Sequence, residues 1–265
     1  MTSVADLRYA CQTYSWQMSL DVYRGRVDHM ISTAAAAGFT GFEPELVMLG
    51  DDWSPSSLKD SLDAHGMSLA ALVLVEPWRG SREDEAERRD AETVITCVAE
   101  IPGAKIVFVP APGVDRADLA ERQNNAVSCM TAVAERAADR GVECTFHPNS
   151  PAGSVFRTAG DYRRMSDLLP PLVHYTPDLG HIARGGMDPL AVVTEWRDRI
   201  DHIHVKDLAA DGETWAETGA GVVDIRGVLD FLASTDYPGW VTFEDESPAA
   251  EADPDRATLR NGRFV

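Results

Sequence analysis

The chain has 265 residues, 44% hydrophobic and 25% charged, and carries a formal net charge of −19 at pH 7. A polyphosphate partner demands a basic surface, so the charge argues against DNA or RNA as a ligand, and no stretch approaches the roughly 20 apolar residues that span a membrane. Four scattered cysteines (Cys11, Cys97, Cys129, Cys144) form no C-x-x-C pair, and the start carries no long apolar run, so reduced thiols and a cytoplasmic location are expected.

Short β-rich apolar runs alternate with longer helical patterns. Strands are predicted at 8–14, 39–44, 68–75, 105–110, 142–147, 172–177, 200–205 and 239–244. Helices are predicted at 27–39, ending on Gly38, at 56–66 behind Ser54-Pro55, at 117–141, at 188–199 and at 224–235. The charged run 75–93 reads as a loop leading to a solvated helix face, and the tail 247–265 as a loop with a short terminal segment. Eight such strands in this length fit an α/β fold with parallel βαβ units, a single-domain (β/α)8 barrel over 1–265. A doubly wound sheet is the alternative, but neither G-x-G-x-x-G nor G-x-x-x-x-G-K-[ST] follows a strand.

In such a barrel the chemistry sits where strands end. Strand two ends in Glu43 and Glu45, strand five in Thr145 and His147, and strand six in Asp178 with His181 three residues on. Strand seven delivers His202, His204 and Lys206 from "DHIHVKD", which holds one of only three lysines, and strand eight ends in Glu244 and Glu246. Alternation places His202, His204 and Lys206 on one face, and Glu244 with Glu246 on another. Imidazole and carboxylate groups converging from separate strands suit one divalent cation (Mn, Co, Zn, Mg or Fe). The expected ligands are Asp178, His204 and Glu244, with His147 as the fourth.

Each residue also has a plainer reading. A lone strand histidine is usually a hydrogen-bonded core group, Asp178 is placed as a helix cap, and Glu244 and Glu246 read as a solvated rim. Four consecutive strands ending in ligand types outweigh these readings taken one at a time.

Four segments in order, "DLGHIARGGMDP" (178–189), "DHIHVKD" (201–207), "GAGVVD" (219–224) and "YPGWVTFEDE" (237–246), resemble the xylose-isomerase-like superfamily of sugar isomerases and epimerases, which includes inosose dehydratases and ketose 3-epimerases. The resemblance implies Asp178, His204 and Glu244 as metal ligands, His181 and Lys206 beside the substrate oxygens, and Glu43 lining the pocket. Many members carry a glutamate at the end of strand five, where this chain shows Thr145, with His147 two residues on. That departure favours a lyase or dehydratase over a symmetric two-glutamate epimerase.

The chemistry the resemblance implies starts from an α-hydroxy ketone and passes through an enediolate. Glu244 or Glu246 is the base candidate, His147 or His181 the acid, and Lys206 the stabiliser of oxyanion charge. Epimerisation, isomerisation, dehydration and cleavage of a keto-glycoside all remain open. Trp16 and Trp78, near the ends of strands one and three, are candidate stacking surfaces for a small sugar or cyclitol, as readily explained by rim packing. Two further functions compete. A phosphodiesterase of the AP-endonuclease type needs a basic groove, which the charge opposes, and a non-catalytic sugar-binding barrel has only the missing strand-five glutamate in its favour. A homo-oligomer or a partner subunit is compatible with the sequence.

Overall fold

The computed structural model describes residues 3–264. Eight parallel strands form the predicted ring, all but β3 and β4 shorter than the sequence suggests: β1 (Arg8–Gln12), β2 (Gly41–Glu43), β3 (Ser68–Leu69, continuing as Ala71–Glu76), β4 (Lys105–Pro110), β5 (Glu143–Phe146), β6 (Val173–Tyr175), β7 (His202–Val205) and β8 (Trp240–Phe243). Neighbours pair in chain order, and β8 returns to β1 through Arg8↔Trp240 to Cys11↔Phe243. β2 pairs with the start of β3 through Gly41↔Ser68 and Phe42↔Leu69, with a further bridge at Glu45↔Val73, whereas β6 and β7 form a seam joined only by isolated bridges, Tyr175↔Ile200 and Asp178↔His204. That seam therefore aligns two candidate ligands, one on each side.

Apolar residues at period two fill the space inside the strands and under the helices, with Phe42, Phe108, Phe146, Tyr175, Val205 and Phe243 all buried. Ser54, Thr158 and Asp224 accept backbone N–H bonds at the starts of the helices Pro55–Ala64, Ala159–Leu168 and Ile225–Ser234. All four cysteines are free and buried, and burial pushes each thiol up to about 12. Among the described residues no helix is long and apolar enough to cross a membrane.

Two stretches differ from expectation. The charged run holds the start of a 15-residue helix, Glu85–Ala99. Its signal was a D-x-x-E capping box: Asp84 accepts from the backbones of Ala86 and Glu87 at 2.8 and 2.9 Å, and Glu87 returns to the Asp84 N–H at 2.8 Å. The tail forms two helices, Pro248–Ala252 and Pro254–Asn261. Each begins with proline behind a capping Ser247 or Asp253.

Candidate active site

The C-terminal ends of the strands open into a cleft of about 240 Å³. At its floor His147, Asp178, His204 and Glu244 offer ligand atoms that all lie within 4.8 Å of one another, and all four residues are buried. They come from the ends of β5, β6, β7 and β8. His204 Nδ1 is 2.8 Å from Glu244 Oε2, and His147 Nε2 is 3.6 Å from Asp178 Oδ2. Asp178 serves as helix cap and candidate ligand together: Oδ1 accepts the His181 N–H at 2.7 Å, while Oδ2 has no hydrogen-bond partner. Both ring nitrogens of His147 are likewise buried and unpartnered. Buried polar atoms are normally satisfied, so unpaired nitrogen and oxygen donors facing one point are a good fit for a divalent cation. Thr145 does not join them. It lies deeper, with its hydroxyl 2.7 Å from that of Thr176, so His147 is the strand-five residue that reaches the floor.

Lys206 stands above this group, fully buried and ringed by acids. Nζ donates to Glu244 Oε1 at 2.7 Å and to Glu246, and lies 3.7 Å from Asp178 Oδ2. Burial opposes its charge, but the three carboxylates overcome that and hold its pKa well above the ordinary lysine value. Burial likewise opposes ionisation of Glu244 and Asp178. Lys206, helped by His204 for the first, nevertheless holds both below the usual carboxylate range. Glu246 behaves differently: burial pushes it up to about 7, only partly offset by Lys206. His181 is kept neutral by burial and by Lys206, whose Nζ is 3.3 Å from its Nε2, while Nδ1 faces the Ser150 hydroxyl at 2.7 Å. His204 is pushed up to about 10, against its burial, because Glu43 and Glu244 flank it.

Three expected substrate contacts are corrected by the structure. Trp16 is fully buried: the chain turns into a short helix at Tyr14–Gln17 after β1, and the indole Nε1 donates to Asp255 of the C-terminal helix at 2.7 Å. Trp78 sits at φ 40°, its N–H held by Glu87 at 2.7 Å, and its ring packs edge-on against Phe108 in the core. Glu43 is fully buried behind His204 and does not line the cleft. Tyr14, Trp215 and Glu45 line the cleft instead. Trp215 lies on a two-stranded hairpin (Asp207–Leu208 with Trp215–Ala216), its ring 5.0 Å from that of His181 and 5.0 Å from Lys206 Nζ. Glu45, with Gln12 and Gln17, faces the cleft from the β1–β2 side, and Gln17 Nε2 donates to it at 2.7 Å. Burial pushes Glu45 up to about 7. Gln12, Gln17 and Trp215 were not expected here, since uncharged amides and a loop tryptophan carry no local pattern that marks a site. A larger groove of about 730 Å³ between Arg24–Asp28 and Trp53–Ala64 contains none of the strand-end groups.

The last residue of "DHIHVKD" has a separate task. Asp207 accepts from the backbone N–H groups of Leu208, Gly219, Gly221 and Val223 at 2.8, 2.9, 2.8 and 3.1 Å, pinning the glycine loop beside the mouth. A Cβ on Gly221 would collide with the Asp207 carboxylate and the Leu208 carbonyl. Asp207→Ala is expected to destabilise the protein by about 2–3 kcal/mol, since four donors lose one charged acceptor. It should also open residues 217–223 to protease. Thermal melting and limited proteolysis read the two effects, and an unchanged cleavage pattern would remove this role.

The sequence profile of the family described as xylose isomerase-like TIM barrel matches residues 31–262. The chain belongs to this family. Among characterised relatives, inosose dehydratase 1 of Bacillus cereus is 24% identical over 276 residues, covering 90% of this chain and 88% of its own length. The inosose dehydratase of Geobacillus kaustophilus is 25% identical over 259 residues, covering 86% and 82%. A 3-keto-D-glucoside 4-epimerase from E. coli shares the fold with TM-score 0.72 at 19% identity, covering 96% of this chain and 99% of its own. So does the IOLI protein, solved with a zinc atom bound, with TM-score 0.71 at 15% identity over 97% and 95%.

Proposed function

We propose that this xylose isomerase-like barrel is a divalent-metal-dependent enzyme that removes a proton beside the carbonyl of a sugar, keto-sugar or cyclitol, with elimination of water in the manner of an inosose dehydratase as the favoured outcome. The observation that carries the reading is the floor of the cleft. His147, Asp178, His204 and Glu244 converge there, and both His147 nitrogens and Asp178 Oδ2 are buried with no hydrogen-bond partner in the protein. These four would hold the cation, which when bound supplies a Lewis acid for a substrate carbonyl.

The remaining work falls to the chain's own groups. Glu246, pushed up to about 7, is the carboxylate suited to exchange a proton near neutrality. Glu244, held ionised on the floor, is better suited to ligation than to proton transfer. Lys206 presents a buried ammonium to oxyanion charge. His181, neutral and 3.3 Å from the Lys206 ammonium, can relay a proton from that group toward a departing hydroxyl, taking one up as it gives one and ending neutral again while Lys206 is left as the amine. Tyr14 and Trp215 provide the aromatic walls, and Glu45 and Gln17 provide acceptors and donors for ring hydroxyls. Support for elimination comes from the named relatives and from His147, an imidazole rather than a carboxylate at the strand-five position.

The test is turnover of inososes, keto-sugars and keto-glycosides by protein reconstituted with Mn, Co or Zn. Products are followed by ultraviolet absorbance and by NMR in D2O. Loss of water from an inosose, abolished by chelator, is the expected result. Solvent deuterium incorporated at the carbon beside the carbonyl without elimination would move the assignment to an epimerase or isomerase. Neither exchange nor elimination with any of these classes would overturn the reading.

A further inference from the structure

We propose that Glu43 is a positioning residue for His204: its carboxylate, clasped behind the ring, keeps a proton on Nε2 and so directs the Nδ1 lone pair toward Asp178 and Glu244. The proposal rests on the metal-dependent reading above and assigns the second layer of that site.

Glu43 lies at the end of β2, fully buried, inside a ring of three side chains. His202 Nε2 bonds Oε2, the Thr242 hydroxyl lies 3.4 Å from the same oxygen, and His204 Nε2 is 2.7 Å from Oε1. Thr242 also lies 3.1 Å from His202 Nε2, which braces the clasp on the side away from His204. Glu43, His202 and Thr242 do not line the cleft, whereas His204 does. A carboxylate shut away from water is retained only with compensating partners, and here the two nearest are imidazoles of one strand, two residues apart.

The two nitrogens of His204 therefore face opposite ways. Nε2 points down to Glu43, and Nδ1 points up to Glu244 Oε2 at 2.8 Å and to the floor. A carboxylate behind the far nitrogen of a ligating histidine fixes the tautomer and the ring plane and raises the basicity of the near nitrogen. Glu43 can do this for His204 because β2 and β7 lie on either side of β1 and β8 in the ring, so the two side chains meet inside the barrel. Glu43, His202 and His204 also meet the distance criterion for a three-ligand cation site. The close His202–Glu43 bond and the absence of any opening favour the clasp over a second ion.

The experiment is titration of chelator-treated protein with Co²⁺, by calorimetry and by the Co²⁺ d–d spectrum, for wild type and Glu43→Gln. The glutamine is nearly isosteric, so circular dichroism should be unchanged while affinity falls roughly 10- to 100-fold and the d–d bands shift. Equal affinity in a folded Glu43→Gln protein would overturn the proposal, and so would two Co²⁺ per chain in wild type. No Co²⁺ binding by wild type would instead overturn the metal-dependent reading itself. A second measurement needs no variant: long-range ¹H–¹⁵N NMR of the Zn²⁺-loaded wild type should place the His204 proton on Nε2. A proton on Nδ1 would overturn the proposal even if Glu43→Gln failed to fold.

Discussion

His204→Ala is expected to lose the divalent ion and turnover together. Wild-type protein, reconstituted and desalted, should hold about one ion per chain by elemental mass spectrometry. The variant should hold none, and its activity should fall on the order of a thousandfold. The reason is geometric: His204 is the one floor residue whose ring is flanked by carboxylates on both sides, so its removal takes away a ligand and leaves Glu43 and Glu244 without their shared partner.

The pH dependence has a fixed sign. His204 is pushed up to about 10, so at neutral pH a cation must displace a proton from it. Affinity should therefore climb with pH, by up to about tenfold per unit between roughly 7 and 10, and level off above. Calorimetry in buffers of different ionisation enthalpy checks both the slope and the released proton. Binding that is flat from pH 7 to 9, or an ion retained by His204→Ala, would show that His204 is not a ligand.

Lys206→Met should be the most destabilising change at the site. The ammonium is fully buried and faces Glu244, Glu246 and Asp178, so deleting it leaves acidic groups crowded in a dry pocket. Removing one partner of a buried ion cluster costs about 3–5 kcal/mol, a fall in Tm of roughly 10 °C for a chain of this size. The sign with respect to metal is opposite to that expected of an ordinary core lysine. A divalent cation on the floor would supply the missing positive charge, so saturating Mn²⁺ should raise the Tm of Lys206→Met by more than that of wild type. Wild-type-like melting without metal would show that the acids around Lys206 are protonated instead of paired with it.

The period-two pattern of "DHIHVKD" predicted one shared face, and His202, His204 and Lys206 do lie on one face of one strand. They occupy different depths. His202 is the lowest and belongs to Glu43, His204 sits at the floor, and Lys206 projects above it. Depth depends on how neighbouring strands are staggered in the closed ring, a relation between distant segments that no local pattern carries. The same stagger decides that Glu45 reaches the cleft and Glu43 does not, and that His147 reaches the floor and Thr145 does not.

The aromatic walls went astray for a related reason. A tryptophan close to a strand end can point either way, and the choice lies with the turn that follows. The helical turn at Tyr14–Gln17 and the Glu87-held turn at Trp78 send both indoles into the core, while a distant hairpin brings Trp215 to the mouth. The missed helices are another matter, since the capping boxes and Ser-Pro and Asp-Pro starts were present in the sequence and were masked by charge density.

The sequence by itself determined the alternation of eight strands with helices, hence the barrel, and the types of side chain that its strand ends present, because periodicity, caps and residue type are local properties. Only the tertiary structure decided which of two glutamates faces the cleft and which stands behind a histidine, because closing the barrel sets the height of each strand against its neighbours.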